Sequence, residues 1–201
     1  MFYFNSFPKI STIDYNKNTI VLTNIMKRIE LIPSLLKNPL VFYQYDVQEG
    51  DTPDIVANKY YGNSYRYWLP LFANQIIDPQ WNWPLTSSQF DAFIKDKYGS
   101  VSTATGTVKE YRKTITTVDS YTLEETSKTI VVDQTTYDSI TTDISSATFP
   151  NGATVTQTIT KSAVSIYDYE LELNEAKRTI NIINSIYTSE IESQFKSLMG
   201  V

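Results

Sequence analysis

Across residues 100–166 roughly two in five side chains are Ser or Thr, far above ordinary usage, and such a block cannot fill a thick hydrophobic core. It alternates instead. Thr114-Ile115-Thr116-Thr117-Val118, Thr129-Ile130-Val131-Val132 and Thr154-Val155-Thr156-Gln157-Thr158-Ile159-Thr160 place β-branched apolar residues with the period of a strand. Pro150-Asn151-Gly152-Ala153 separates two alternating runs as a turn. The block reads as an antiparallel β insertion, thin and half exposed. Its alternation and β-branched bias argue against a mucin-like disordered linker. Asp133, Asp138 and Asp143 read as strand-edge charges that oppose edge-to-edge association. No calcium-loop pattern with its Gly and Glu surrounds them.

The insertion divides the rest of the chain. Residues 1–40 read as an extended arm: Phe2, Phe4, Phe7 and Ile10 are apolar in a segment too short to build a core, Asn16–Asn18 is a turn, and Ile20-Val21-Leu22 is a short strand. Thr23 is placed to cap a helical turn through Ile25, Met26 and Ile29, limited by Pro33. Such an arm must lie on its own body or on a neighbour. In residues 41–99, Val41, Tyr43, Tyr45 and Val47 alternate as one face of a strand. Gly50-Asp51-Thr52-Pro53 then turns the chain into a helix, with Thr52 at the N-cap, Pro53 at the first helical position and Asp54 in the first turn. Gly62 ends that helix. A second is expected from Asn63 or Ser64 to Asn74, with Pro70 kinking it. An irregular aromatic loop follows, Pro79-Gln80-Trp81-Asn82-Trp83-Pro84, and a third helix carries Phe90, Phe93, Ile94 and Tyr98 to Gly99. In residues 167–201 a stripe of Leu171, Leu173, Ala176, Ile180, Ile183, Ile186 and Tyr187 predicts a helix, and Ser189-Glu190-Ile191-Glu192 a capping box opening another. The two would form a C-terminal helical hairpin.

Two absences bound the chemistry. The 201 residues contain no His and no Cys. That removes Cys nucleophiles, Ser-His-Asp arrangements, His- or Cys-ligated zinc and disulfides. Carboxylate pairs remain, but nothing among the 22 Asp and Glu singles out a pair for glycoside hydrolysis. The net charge of −5 and the lack of a Lys/Arg cluster disfavour nucleic-acid and membrane-surface partners. No apolar run reaches the roughly 20 residues of a membrane span, and Met1–Asn5 lacks the basic leader of a signal peptide. No cofactor and no enzymatic activity are expected.

The run Tyr45-Asp46-Val47-Gln48-Glu49-Gly50-Asp51-Thr52-Pro53-Asp54-Ile55-Val56-Ala57 resembles the opening of a LysM domain, and Asn74 stands where that family has an Asn near the end of its second helix. The resemblance implies a βααβ core and, in many members, binding to glycans containing N-acetylglucosamine. Tyr60-Tyr61-Gly62-Asn63, Tyr67-Trp68, Asn74 and the C-terminal Tyr169-Glu170-Leu171-Glu172-Leu173-Asn174-Glu175-Ala176-Lys177-Arg178 are similar to the baseplate wedge proteins of T-even-type phages. That resemblance leaves the Thr-rich block unmatched. It implies a non-catalytic virion protein of the tail baseplate, bound to other wedge subunits and joining wedges into a ring around the hub.

The expected architecture is therefore α+β: a LysM-like βααβ core with an extra helix, an N-terminal arm, a Thr-rich antiparallel insertion and a C-terminal helical hairpin. The candidate subunit-contact residues are Phe2, Phe4, Trp81, Trp83, Ile191 and Phe195. Two Trp within three residues of one short loop make that loop the leading contact. The rival reading is a cell-wall glycan-binding module.

Overall fold

The computed structural model describes residues 3–30 and 38–200. The chain forms two compact units, one from residues 1–86 and 174–201, the other from residues 87–173.

The first unit is organised by a two-stranded antiparallel sheet whose strands lie far apart in sequence. β3 (Phe42–Asp46) pairs with β8 (Thr179–Ile183), Phe42 opposite Ile183 and Asp46 opposite Thr179. Bonds from Asn184 N–H to the Val41 carbonyl and from Val47 N–H to the Arg178 carbonyl extend the ladder at both ends. Between these strands come α1 (Pro53–Tyr61) and α2 (Trp68–Ala73). α1 starts with Thr52 in extended conformation and Pro53 at its first position, and it ends on Gly62 in the left-handed conformation, φ 66°. The Thr52 hydroxyl bonds Asp54 rather than a backbone N–H. Asn63 caps a separate 3-10 turn (Ser64–Arg66), accepting from Tyr65 N–H. α2 therefore begins only at Trp68, and Pro70 lies in its first turn, where the absent N–H breaks no helical bond. The expected kink is corrected to a helix start. Asn74 then fastens the end of α2 to β8: its Nδ2 donates to the Pro70 and Asn181 carbonyls, and its Oδ1 accepts from Asn181 N–H, each at 2.8 Å.

β8 overturns the C-terminal helical hairpin. Ile180, Ile182 and Ile183 are buried while Thr179 and Asn181 are exposed. The three-residue step from Ile180 to Ile183 imitates a helical stripe, but the β-branched run Thr-Ile-Asn-Ile-Ile favours a strand, and pairing with β3 decides it. α8 (Thr188–Met199) follows a 3-10 turn capped by Asn184, and no side-chain cap opens it, so the capping box does not form. α8 buries Phe195 and Met199 against Val56, Leu69, Trp68 and the isoleucines of β8 in one core.

The arm is a β-hairpin. β1 (Lys9–Ile13) pairs antiparallel with β2 (Thr19–Thr23), Ile10 opposite Leu22, and Lys17 turns the chain with φ 62°. The segment after Thr23 makes a turn at Ile25 and Met26, not a helix. The hairpin's root is held by its own body: Phe7 is buried, and Tyr3 packs on Trp68 and Phe195 with ring centroids 5.6 and 5.4 Å away.

The second unit contains α4 (Ser87–Tyr98), a short α5 (Val101–Gly106) and a four-stranded antiparallel sheet. The short α3 (Pro79–Asn82) precedes them in the first unit. The strands are β4 (Val108–Asp119), β5 (Glu125–Val132), β6 (Asp143–Thr148) and β7 (Thr154–Ser165), in the order β5-β4-β7-β6. The outer strands are almost wholly exposed and the central ones half buried. The predicted turn joins β6 to β7 through Gly152, φ 82°. Asp133 and Asp138 are not strand-edge charges: Asp133 precedes and Asp138 lies within a helix, α6 (Gln134–Ser139), whose Tyr137 stacks on Tyr111 at 4.6 Å. α7 (Ile166–Glu175) carries the chain back toward β8. Lys97 and Tyr98 of α4 bond Glu170 of α7, so the third helix goes with the insertion. The two units divide the chain after residues 86 and 173.

Asn74→Ala removes two bonds that join α2 to Asn181 of β8 and a third to the Pro70 carbonyl within α2, and should destabilise the protein by about 1–3 kcal/mol, read as a lower denaturant midpoint at unchanged slope.

Candidate subunit-contact surfaces

The two loop tryptophans part company for a local reason. Asp78 accepts a hydrogen bond from Gln80 N–H and caps α3, with Pro79 at its first position. One helical turn lifts Trp81 out, 56% exposed, and Trp83 leaves the helix in extended conformation pointing inward, 6% exposed. The Trp83 Nε1–H donates to the Asp51 carbonyl at 2.8 Å. Trp83 is thereby corrected from contact residue to core residue.

Asp51 ties this corner together. Its carboxylate accepts from Tyr45 Oη at 2.7 Å, Lys59 Nζ at 2.6 Å and Gln48 N–H at 3.3 Å. Burial pushes the carboxyl up, but the bonds from Lys59, Tyr45 and Gln48 outweigh it and hold the group below its ordinary value. The second unit repeats the device. Glu170, pushed up by burial, is held down by Lys97 at 2.8 Å and Tyr98 at 2.5 Å. Among the described residues no three carboxylates converge as a metal site requires, and no helix is long and apolar enough to cross a membrane.

The remaining candidates also separate. Phe195 is 3% exposed and lies 4.9 Å from Trp68, so it too is corrected to the core. Ile191 is half buried at the core's edge. Phe4 is 56% exposed, yet its ring lies 5.2 Å from Tyr3 and 5.6 Å from Phe7. Phe4 and Phe195 thus belong to one aromatic cluster, each packed on Tyr3 and Phe7. Phe2 lies outside the described residues.

The sequence reading left open whether the arm lies on its own body or on a neighbour, and it singled out none of the hairpin's strand residues for contact. All ten residues of β1 and β2 are exposed, among them Ile10, Ile13, Ile20, Val21 and Leu22, and Met26 beyond them is 84% exposed. A two-stranded hairpin wetted on both faces is marginal alone, and contiguous exposed apolar surface marks interaction sites. Ile10 and Ile13 before the Asn16–Asn18 turn and Ile20-Val21-Leu22 after it were the available signal.

An α+β protein with an anchored apolar hairpin and a projecting Trp presents apolar surface of the kind that partners bury. The chain belongs to the base plate wedge protein 53 family of phages, whose family model matches residues 2–201. It has a structural role in the phage tail baseplate. None of the curated proteins compared with the chain matches it.

Two outcomes follow from the corner at Asp51. Trp83→Ala should cost about 3–5 kcal/mol of stability, whereas Trp81→Ala should change the denaturant midpoint little. Both buried carboxyls have folded values below their unfolded ones, 3.8 for Asp and 4.5 for Glu. Their stabilisation is complete above those values and is lost as pH falls through the lower folded ones. Thermal melting should be level near neutrality and drop below about pH 4, and Asp51→Asn should lower it at neutral pH while flattening the acid decline.

Proposed function

We propose that the chain joins neighbouring wedge subunits into the baseplate ring of a contractile, T-even-type tail, and that it does so as a structural element rather than an enzyme. The observation that carries this reading is the exposed apolar hairpin, rooted in a rigid core by Phe7 and Tyr3. An assembly partner would bury Ile10, Ile20, Val21 and Leu22 together with Trp81. Burial of such surface, repeated around a ring, gives a stable assembly from modest contacts.

The scaffold is proposed to be LysM-like. The order β3, α1, α2, β8 is that of a βααβ unit, entered through Gly50-Asp51-Thr52-Pro53 and with Asn74 at the end of its second helix. Its second strand would come from beyond the inserted unit. This order also gives the glycan-binding reading its one support, and against it Trp83 and the Asp51 carboxylate are committed to internal bonds.

The experiment combines the purified chain with wedge complexes assembled without it, and in parallel with insoluble peptidoglycan and chitin. Incorporation into the wedge complexes, lost in an Ile20→Asp, Leu22→Asp double variant that melts like the parent, is the expected result. Saturable micromolar binding to either polysaccharide without incorporation would replace the assembly reading with glycan recognition.

A further inference from the structure

The sheet of the second unit ends in two turns that lie side by side. One joins β4 to β5 through residues 120–124, and the other joins β6 to β7 through residues 149–153. Ser120 N–H donates to the Thr154 carbonyl at 2.9 Å, and Thr154 N–H donates back to Ser120 Oγ at 2.8 Å. Three large side chains stand in water on this pair of turns: Tyr121 is 77%, Leu123 82% and Phe149 50% exposed. Turns are ordinarily built from Gly, Pro, Asn, Asp and Ser, so the stability of the isolated sheet does not call for these three residues.

Leu123 is the sharpest case. Its φ of 58° lies in the left-handed region, which hairpin loops normally fill with Gly or Asn and where a bulky side chain strains the backbone. The loop around it is fixed. The Asp119 carboxylate accepts from Tyr121 N–H at 2.8 Å and Thr122 N–H at 3.3 Å, and the Asp119 carbonyl accepts from Leu123 N–H at 2.9 Å. Charge at the tip has one sign. Residues 114–127 and 144–160 contain Asp119, Glu124 and Glu125 and no Lys or Arg. Asp119 is committed to the turn, whereas Glu124 and Glu125 are exposed and form no ion pair among the described residues.

We propose that this tip docks on a neighbouring baseplate subunit of a different kind, at an apolar patch bordered by Lys or Arg. Tyr121, Leu123 and Phe149 enter the patch, and Glu124 and Glu125 meet its basic border. The inference rests on the wedge-assembly reading and gives the inserted unit a contact of its own beside that of the arm. The carboxylates repel a nucleic acid or an anionic lipid surface, and the tip of a second copy would bring like charges together. A protein surface that is apolar at its centre and basic at its border complements both features of the tip. Because the turns are already fixed, docking orders little of the chain.

The test measures association of the full chain with wedge complexes assembled without it, for the parent and three variants, with the melting temperature of each. Leu123→Asn supplies a residue that tolerates the left-handed conformation. It should melt no lower than the parent yet associate about tenfold more weakly, a divergence that a merely structural role for Leu123 does not produce. Tyr121→Ser with Phe149→Ser should weaken association about tenfold or more at an unchanged melting temperature. Glu124→Lys with Glu125→Lys should weaken it as strongly at low salt, and added salt should weaken the parent more than this variant. If the parent associates and all three variants match it, the tip inference falls and the assembly reading stands. If the parent does not associate, both fall. Weakening by the apolar variants alone, or by the charge reversal alone, overturns the proposed partner chemistry. A chain that dimerises alone, and loses that dimer in Leu123→Asn, would make a second copy the occupant and overturn the proposal.

Discussion

The pairing of β3 with β8 is the constraint on which the first unit depends. Neither strand is stable alone, and each covers the core the other needs: Val47 just beyond β3 meets Ile180, Ile182 and Ile183 from β8 in the same cluster as Val56, Leu69 and Trp68. Because the partners lie on either side of residues 87–173, the first unit cannot close until the chain has passed through the second. Long-range pairing of this kind has a high loop-closure cost. The cost is moderated if the inserted unit orders itself, and that unit has its own buried helix face at Phe90 and Ile94. The junction is also fixed within the first unit, where the Asn174 side chain accepts from Leu85 N–H at 2.7 Å and donates to the Leu85 carbonyl at 3.1 Å.

Polar side chains do the joining at every seam of the first unit. Asn74 bridges α2 to β8, Asn174 bridges the entrance and exit of the insertion, and Asn184 caps the turn into α8 while donating to Tyr43. Asp51 does the same for Tyr45, Lys59 and, through its carbonyl, Trp83. An amide or carboxylate satisfies several orphaned backbone groups where an apolar side chain would satisfy none, and buried groups of this kind must be satisfied in full. With no disulfide available, these residues specify how the short helices meet the short sheet.

What was legible in the sequence is what local chemistry decides. The strand-turn-helix at Val41–Tyr61, the Gly62 stop, the Gly152 turn and the antiparallel Thr-rich strands follow from caps, turn residues and period-2 alternation. What was hidden is what distant partners decide. Thr179–Ile183 fits a helical stripe and a strand equally well until β3 is known to lie beside it. Residues 133–139 share the composition of the strands around them yet turn helical, which single residues did not announce. For the contact surface, an extended segment would have put Trp81 and Trp83, two residues apart, on one face; it is the helical turn started by Asp78 and Pro79 that sends one ring out and the other in. Phe195 was misplaced because an amphipathic helix shows which side is apolar, never whether that side meets its own core or another chain.

That ambiguity resolves in an instructive direction. The largest aromatic side chains with a fixed neighbour, Trp68, Trp83 and Phe195, are all taken into the core. The residues left outside, Ile10, Ile13, Ile20, Val21 and Leu22, are β-branched or aliphatic and sit on a hairpin that contributes only Phe7 and Tyr3, at its root, to that core. A hairpin wetted on both faces gains little from folding alone, so its apolar residues are unexplained by the stability of the isolated chain. They are explained if the order of the arm is completed by a partner, with the root fixing where the arm emerges and the arm supplying the area. Under the proposed role, division of labour between a closed core and an open arm lets the subunit fold before assembly and still hold apolar surface for the ring.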